Sequence, residues 1–177
     1  MGAAPKALED GELGYVAVAA EPLCSEFYVV FSPRGLRAIV LGAATFERRW
    51  AAVVRPTPSH PLARRVSAEL GCYLRGEEVS FTVPLDPAGA TPFRLRVWSE
   101  TARIPRGRLD TYGGIAERLG GRRWARAVGA ALGANPVPVV VPCHRVVAAR
   151  GGGLGGYALG LEVKRKLLEL EGVALEC

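Results

Sequence analysis

Between Asn135 and Pro142 the chain reads Asn-Pro-Val-Pro-Val-Val-Val-Pro, and the next residues are Cys143, His144, Arg145 and Val146. Three prolines remove three backbone donors, so this stretch is unsuited to a central strand. It is expected to run extended, as a rigid and buried connector that delivers a thiol and an imidazole together. Such a pair is a poor arrangement for packing alone. It suits a reactive thiolate, because the thiolate is the nucleophile and a nearby basic group lowers the thiol's pKa. The competing reading is a buried cysteine that merely fills space. His144 and Arg145 argue against it, since two polar groups in an apolar setting need partners.

Neighbouring side chains on an extended segment point in opposite directions. His144 is then expected to reach the Cys143 sulfur through one water rather than directly. A base also needs a group that orients it and stabilises its imidazolium form. The last helical pattern offers one. Residues Leu161 to Glu171, closed by Gly172, place Lys164, Leu167, Leu168 and Glu171 on one stripe. With both leucines facing the core, Glu171 is carried to its edge, which predicts a Cys–water–His–Glu relay. Periodicity alone leaves open a rim carboxylate in water.

Upstream, Asp110 or Thr111 can cap a helix to about Leu119, with Gly120-Gly121 as its exit. A second helix is expected to start near Arg122. On it Trp124, Val128 and Leu132 repeat every fourth residue as a core stripe, beside Ala127 and Ala131. Arg122, Arg123 and Arg126 fall off the stripe on a basic face. Two short helices joined by glycines outline a helix-turn-helix, the second being the recognition helix. Ala125, Ala127, Gly129 and Ala130 leave few side chains able to reach base edges, which suits binding by shape in the minor groove. An ordinary amphipathic helix with a solvated charged face remains the alternative. The glycine-rich run Gly151–Tyr157 lacks the lysine and hydroxyl ending of a phosphate loop, and reads better as a wall closing over a flat ligand.

The first half carries no catalytic motif. Strands are expected over Leu13–Ala19, Phe27–Phe31 and Leu36–Leu41, with a turn at Ser32–Gly35 and a further strand at Phe81–Val83. Leu62, Val66, Leu70 and Leu74 predict a helix after His60-Pro61, ended by Gly76. Asp86–Pro92 is a turn-rich break. The expected organisation is a small α/β scaffold domain over residues 1–90, with a small antiparallel sheet plus helix. A mostly α domain with a helix-turn-helix, suited to DNA binding, would follow over 91–177.

Net charge is +6 over 177 residues, which suits a polyanionic partner, nucleic acid first. No apolar stretch approaches the roughly 20 residues of a spanning helix. No signal-peptide core opens the sequence. Cys24, Cys72, Cys143 and Cys177 show no paired spacing, and His60 and His144 are the only histidines. A monomeric, soluble protein of the cytoplasm (or of the nucleus, in a eukaryote) is expected. It would have no metal, no cofactor and no membrane partner.

Beyond these local readings, several ordered blocks resemble the O6-alkylguanine-DNA alkyltransferases, the direct-reversal DNA repair proteins. They are Ile104-Pro105-x-Gly107, Thr111-Tyr112-Gly113, Ile115-Ala116, Arg126-Ala127-Val128-Gly129, Asn135-Pro136, Pro142–Val146, Gly155-Gly156-Tyr157 and Lys164-x-x-Leu167-Leu168-x-x-Glu171-Gly172. The resemblance covers about residues 93–172 and only loosely the first 90. It implies double-stranded DNA carrying alkylated guanine as the partner, and a single irreversible transfer from the guanine oxygen to Cys143. Activity on O4-alkylthymine is left open. It implies that His144 draws the thiol proton through water with Glu171 behind it, and that Tyr112 protonates the leaving base. Arg126 would fill the space of the flipped nucleotide, with Arg122, Arg123, Ala125, Ala127 and Gly129 on the same DNA face. The Cys143 and Val146 backbone would bind the exocyclic amine. The Ala158 amide would meet the guanine oxygen, and Tyr157 belongs to the same substrate wall. Asn135 would tie the recognition helix to the reactive loop, Lys164 would brace that loop, and Arg145 would support it. The chain departs from relatives in having Ala158 where some carry serine, in a loop one residue longer at Arg150–Gly153, and in lacking the zinc ligands of some members. A non-catalytic group carries tryptophan in place of the cysteine. A lesion-binding module without chemistry and a thiol hydrolase using Cys143 and His144 are the competing functions.

Overall fold

The computed structural model describes residues 8–9, 11–149 and 153–174, and the chain divides into two compact units after Ala88.

In the first unit β1 (Gly14–Ala20), β2 (Ser25–Ser32) and β3 (Gly35–Leu41) form an antiparallel meander. Helix α1 (Ala43–Arg49) follows, then the two-residue strand β4 (Arg55–Pro56) and helix α2 (Pro61–Leu74). The sheet order is β3-β2-β1-β4, and β4 runs parallel to β1, so the sheet is mixed rather than purely antiparallel. Phe46 of α1 packs with Val30, Ala38 and Val40, whereas Phe31 packs with Ala63 of α2. Alternation along β2 thus supplies two helix-covered clusters. Helix α2 begins where the sequence indicates, with Pro61 in its first turn and the His60 imidazole accepting from the Leu62 amide at 3.2 Å. Phe81–Val83 is not a strand: the edge of β3 is met instead by Leu85, through Leu36 N–H to Pro84 O and Asp86 N–H to Leu36 O. Proline at 84 removes a donor there and limits the pairing to one bridge.

The second unit holds α3 (Pro92–Ala102), β5 (Asp110–Thr111), α4 (Tyr112–Arg118), α5 (Ala125–Gly133), β6 (Val146–Val147) and α6 (Leu161–Leu170). Strands β5 and β6 pair in parallel, Asp110 with Val146 and Thr111 with Val147. Helix α3 carries no signal as clear as the others, yet Thr91 caps it and Val97, Trp98 and Thr101 are buried. Trp98 Nε1 donates to Ala131 O at 2.8 Å and so locks α3 to α5. The stretch before α5 is a 3-10 turn, Arg122–Trp124, so the α-helix proper starts three residues later than the sequence suggests. Trp124 is not core: it is 42% exposed, because the 3-10 turn rotates it out of line with buried Val128 and Leu132. No helix among the described residues is long and apolar enough to cross a membrane. Arg150–Gly152, which include the longer loop, lie outside the described residues, as does Cys177.

Candidate active site

The expected extended run before Cys143 is folded. Val141 N–H donates to Val137 O at 2.9 Å, closing a turn in which Val139 sits at φ 74°. That is an outlier for a β-branched residue and costs about 1–3 kcal/mol. Burial of the Val139 side chain offsets a cost of this size. Asn135 holds the turn from inside. Its Oδ1 accepts from Val137 N–H at 3.0 Å, and its Nδ2 donates to Val141 O at 2.9 Å and to Cys143 Sγ at 3.0 Å. Cys143–Arg145 then form a 3-10 turn rather than extended chain. Successive side chains diverge by about 120° there, so one residue of each kind faces a different neighbour.

His144 faces inward. It is wholly buried, and its Nε2 lies 2.8 Å from Glu171 Oε1. Glu171, also buried, is the C-cap of α6 and takes two further bonds from Arg145: Nε to Oε2 and Nη2 to Oε1, each 2.9 Å. Arg145 Nη1 continues to Ile104 O at 2.6 Å. Burial raises the Glu171 carboxyl, but the hydrogen bonds from His144 and Arg145 outweigh it and hold the group ionised, well below the usual carboxylate range. Burial dominates at His144 and lowers its pKa despite Glu171, with Arg145 and Lys164 pushing the same way. The site therefore rests with a neutral imidazole aligned by a carboxylate. Arg145 as second partner of Glu171 was not legible: spacing along α6 shows one carboxylate at the core's edge, not two claimants for it.

Cys143 faces a cavity of about 610 Å³ lined by Tyr112, Ala125, Arg126, Gly129, Leu132 and Gly133 on one side and Gly156, Tyr157 and Ala158 on the other. The residue is 6% exposed, and burial pushes its thiol pKa up, only partly countered by the Asn135 hydrogen bond and the Lys164 charge. The free protein holds a neutral thiol, because a desolvated thiolate costs more than one amide donor and one distant cation return.

Tyr112 opens α4 directly after the β5–β6 pairing, and the Thr111 hydroxyl caps that helix by accepting from Gly114 N–H at 2.9 Å. The Tyr112 hydroxyl donates to Gly156 O at 3.1 Å, and burial together with Cys143 raises its pKa. Gly155, at φ 69°, passes so close that a Cβ there would lie 2.8 Å from the Tyr112 ring. Lys164 is fully buried, and its Nζ donates to Val146 O at 2.6 Å, Leu154 O at 2.5 Å and Gly156 O at 3.4 Å. Desolvation lowers it to about 8. Val146 itself is buried in β6 and is not among the residues lining the cavity. Arg122 and Arg123 are exposed on the 3-10 turn, Arg126 is exposed at the cavity and Ala127 is half-buried. Tyr157 stands edge-on to His144, centroids 6.4 Å apart. Among the described residues no three His, Cys, Asp or Glu side chains come together to hold a metal.

Residues 92–173 match the family model described as 6-O-methylguanine DNA methyltransferase, DNA binding domain. A methylated-DNA–protein-cysteine methyltransferase of Methanosarcina acetivorans is 48% identical over 109 residues, which are 62% of this chain and 69% of that protein. The chain belongs to the methylated-DNA–protein-cysteine methyltransferase family. The inducible family member of Bacillus subtilis is 47% identical over 105 residues, 59% of this chain and 58% of its own length. The crystal structure of Mycobacterium tuberculosis OGT in complex with DNA superposes with a TM-score of 0.75 at 34% identity, covering 90% of this chain and 92% of that one. The match to the methyltransferase model spans α3 to α6, so Tyr112, Arg126, Asn135, Cys143, His144, Lys164 and Glu171 all fall inside it.

Proposed function

We propose that this chain repairs O6-alkylguanine in duplex DNA by moving the alkyl group, once and irreversibly, to Cys143. The observation that carries the reading is the buried Cys143 thiol opening onto a cavity of about 610 Å³, between the exposed Arg126 on α5 and Tyr112, Tyr157 and Ala158. That volume lies within the range of sites that enclose a flat ligand. A base inside a duplex presents its O6 substituent to no side chain, so the nucleotide must leave the stack, and a damaged pair costs least to open. Helix α5 acts as the recognition helix of a winged helix-turn-helix. Its small residues approach the minor groove while Arg126 takes the vacated space, with Arg122 and Arg123 on the flanking phosphates.

The Cys143 sulfur attacks the alkyl carbon, forming S–C as the C–O6 bond breaks. The thiol proton passes through a water to His144, whose imidazolium Glu171 stabilises. The electron pair returns to the purine, and Tyr112 supplies a proton so that neutral guanine leaves. Because the thiol is neutral at rest, the thiolate forms only as the purine fills the cavity. That order protects the nucleophile from other electrophiles. The Cys143 backbone and the Ala158 amide bind the guanine edge. Asn135, Arg145 and Lys164 hold the loop. The thioether has no route back, so one molecule acts once, as a monomer and without a cofactor. The scaffold role of residues 1–90, a cytoplasmic or nuclear location and activity on O4-alkylthymine belong to the same reading.

Incubation with a duplex carrying O6-methylguanine tests it. Mass spectrometry should find one added methyl on the Cys143 peptide and none in Cys143→Ala. Retained affinity for the lesion with unchanged protein mass would point instead to a binding module.

A further inference from the structure

The reaction described above makes no use of Trp124. This side chain closes the 3-10 turn Arg122–Trp124 and forms the N-cap of α5, and the two residues after it, Ala125 and Arg126, line the cavity. A single exposed apolar side chain needs no explanation. This one differs because its ring is held from two directions. Phe93 of α3 supports it at 5.9 Å between centroids, tilted by 40°, and the Arg123 guanidinium sits 5.8 Å from its centroid. The ring still leaves 42% of its residue's surface to solvent.

Exposed arginines without a carboxylate partner among the described residues occur at several places on this unit, Arg96 and Arg108 included. Arg103 and Arg118, elsewhere on this unit, are neutralised by Glu100 and Asp110. Arg94, Arg122, Arg123 and Arg126 are exposed, and among the described residues none has a carboxylate partner. An exposed indole with the Arg123 guanidinium over its ring, and Arg122 and Arg126 two residues away on either side in sequence, complements a polymer that alternates apolar sugars with anions. The neighbour of Trp124 in sequence, Ala125, lines the cavity, as does Arg126 two residues on.

We propose that Trp124, backed by Phe93 and carrying Arg123, is a second DNA contact that receives the sugar–phosphate strand flanking the nucleotide in the cavity. A deoxyribose lies against the exposed indole and the next phosphate on Arg123. The platform supplies affinity for duplex DNA, damaged or not, and takes no part in alkyl transfer. It rests on the reading that duplex DNA delivers the alkylated base.

Fluorescence anisotropy with an unmodified duplex tests it on the full chain. Trp124→Ala should weaken binding about tenfold, as expected for loss of one aromatic contact, and Trp124→Phe should recover most of that loss. Arg123→Ala should shrink the slope of log affinity against log salt by about one, whereas Trp124→Ala should leave that slope in place. Duplex should quench wild-type tryptophan emission more than that of Trp124→Phe, which retains Trp50 and Trp98. Alkyl transfer should fall in Trp124→Ala at least fivefold more on duplex substrate than on free O6-benzylguanine. A duplex affinity within twofold of wild type, or equal quenching in both proteins, would overturn the platform. Wild-type protein that binds duplex through Trp124 yet gains no alkyl mass would leave the platform standing and remove the transfer reading instead.

Discussion

At the scale of single residues, the governing balance is at Cys143, where desolvation outweighs the Asn135 hydrogen bond and the charge of Lys164. Reaction with a small neutral thiol reagent across pH should report a thiol above the ordinary value of about 8.5. Asn135→Ala should raise it further, since the amide donor at 3.0 Å favours the thiolate. A pKa that stays put would remove Asn135 from the activation of the sulfur. Gly155 makes a second residue-level prediction. A methyl group there would sit 2.8 Å from the Tyr112 ring, and the backbone is left-handed at φ 69°. Gly155→Ala should displace the phenol and cut alkyl transfer at least tenfold while leaving affinity for undamaged duplex nearly unchanged. Equal losses in both would mean that the whole α4–α5 region had shifted.

Elements are held by a few local devices. Thr111 joins two of them, as the end of β5 and the cap of α4, so Thr111→Ala should cost about 1 kcal/mol in denaturant unfolding. Val139 shows how a burial term sustains strain: Val139→Gly relieves a left-handed β-branched residue but deletes a buried side chain. The deletion costs more than the roughly 1–3 kcal/mol of strain it removes, so the variant should be less stable than wild type. A gain in stability would show that the turn is held by Asn135 alone. The C-terminal end of α6 is fixed from outside itself, by Arg106 to Leu170 O and by Gly107 N–H to Glu171 Oε2 at 3.4 Å. That is how a carboxylate at a helix end becomes rigid enough to align an imidazole.

For the whole molecule, the buried His144 and Glu171 contribute to the response to acid, beside buried Asp86, whose carboxyl, against the cost of burial, Ser32, Arg34 and Arg37 also hold below its usual range. His144 stays neutral in the folded protein where the unfolded imidazole, near pH 6.5, takes up a proton. Glu171 stays ionised where the unfolded carboxylate, near pH 4.5, protonates. In both cases the unfolded chain binds more protons, so stability falls as pH drops, first through the imidazole range and then through the carboxylate range. Melting temperatures from about pH 8 to pH 4 should decline in that order, and Glu171→Gln should flatten the lower part of the curve. A flat wild-type profile would contradict the buried His–Glu pair. The net charge of +6 acts at the same scale: duplex affinity should fall steeply with salt.

The sequence by itself determined the elements with strong period or caps: the β1–β3 meander, α2 from His60 onward, α4 behind Thr111 and α6 with Glu171 on its buried stripe. Each rests on neighbours within a few residues, which is the range over which pattern and capping act. It also put Cys143 and His144 side by side and Glu171 on a face able to meet the imidazole. Tertiary structure alone decided the rest. The valine–proline run is not extended but bent around Asn135, Trp124 faces solvent, and Phe81–Val83 does not pair. Arg145 shares Glu171 with His144, and Gly155 makes room for Tyr112. Above all, burial pushes the thiol's pKa up, because a pKa depends on how much water the fold removes, and burial is a property of the packed molecule and not of any stretch of chain.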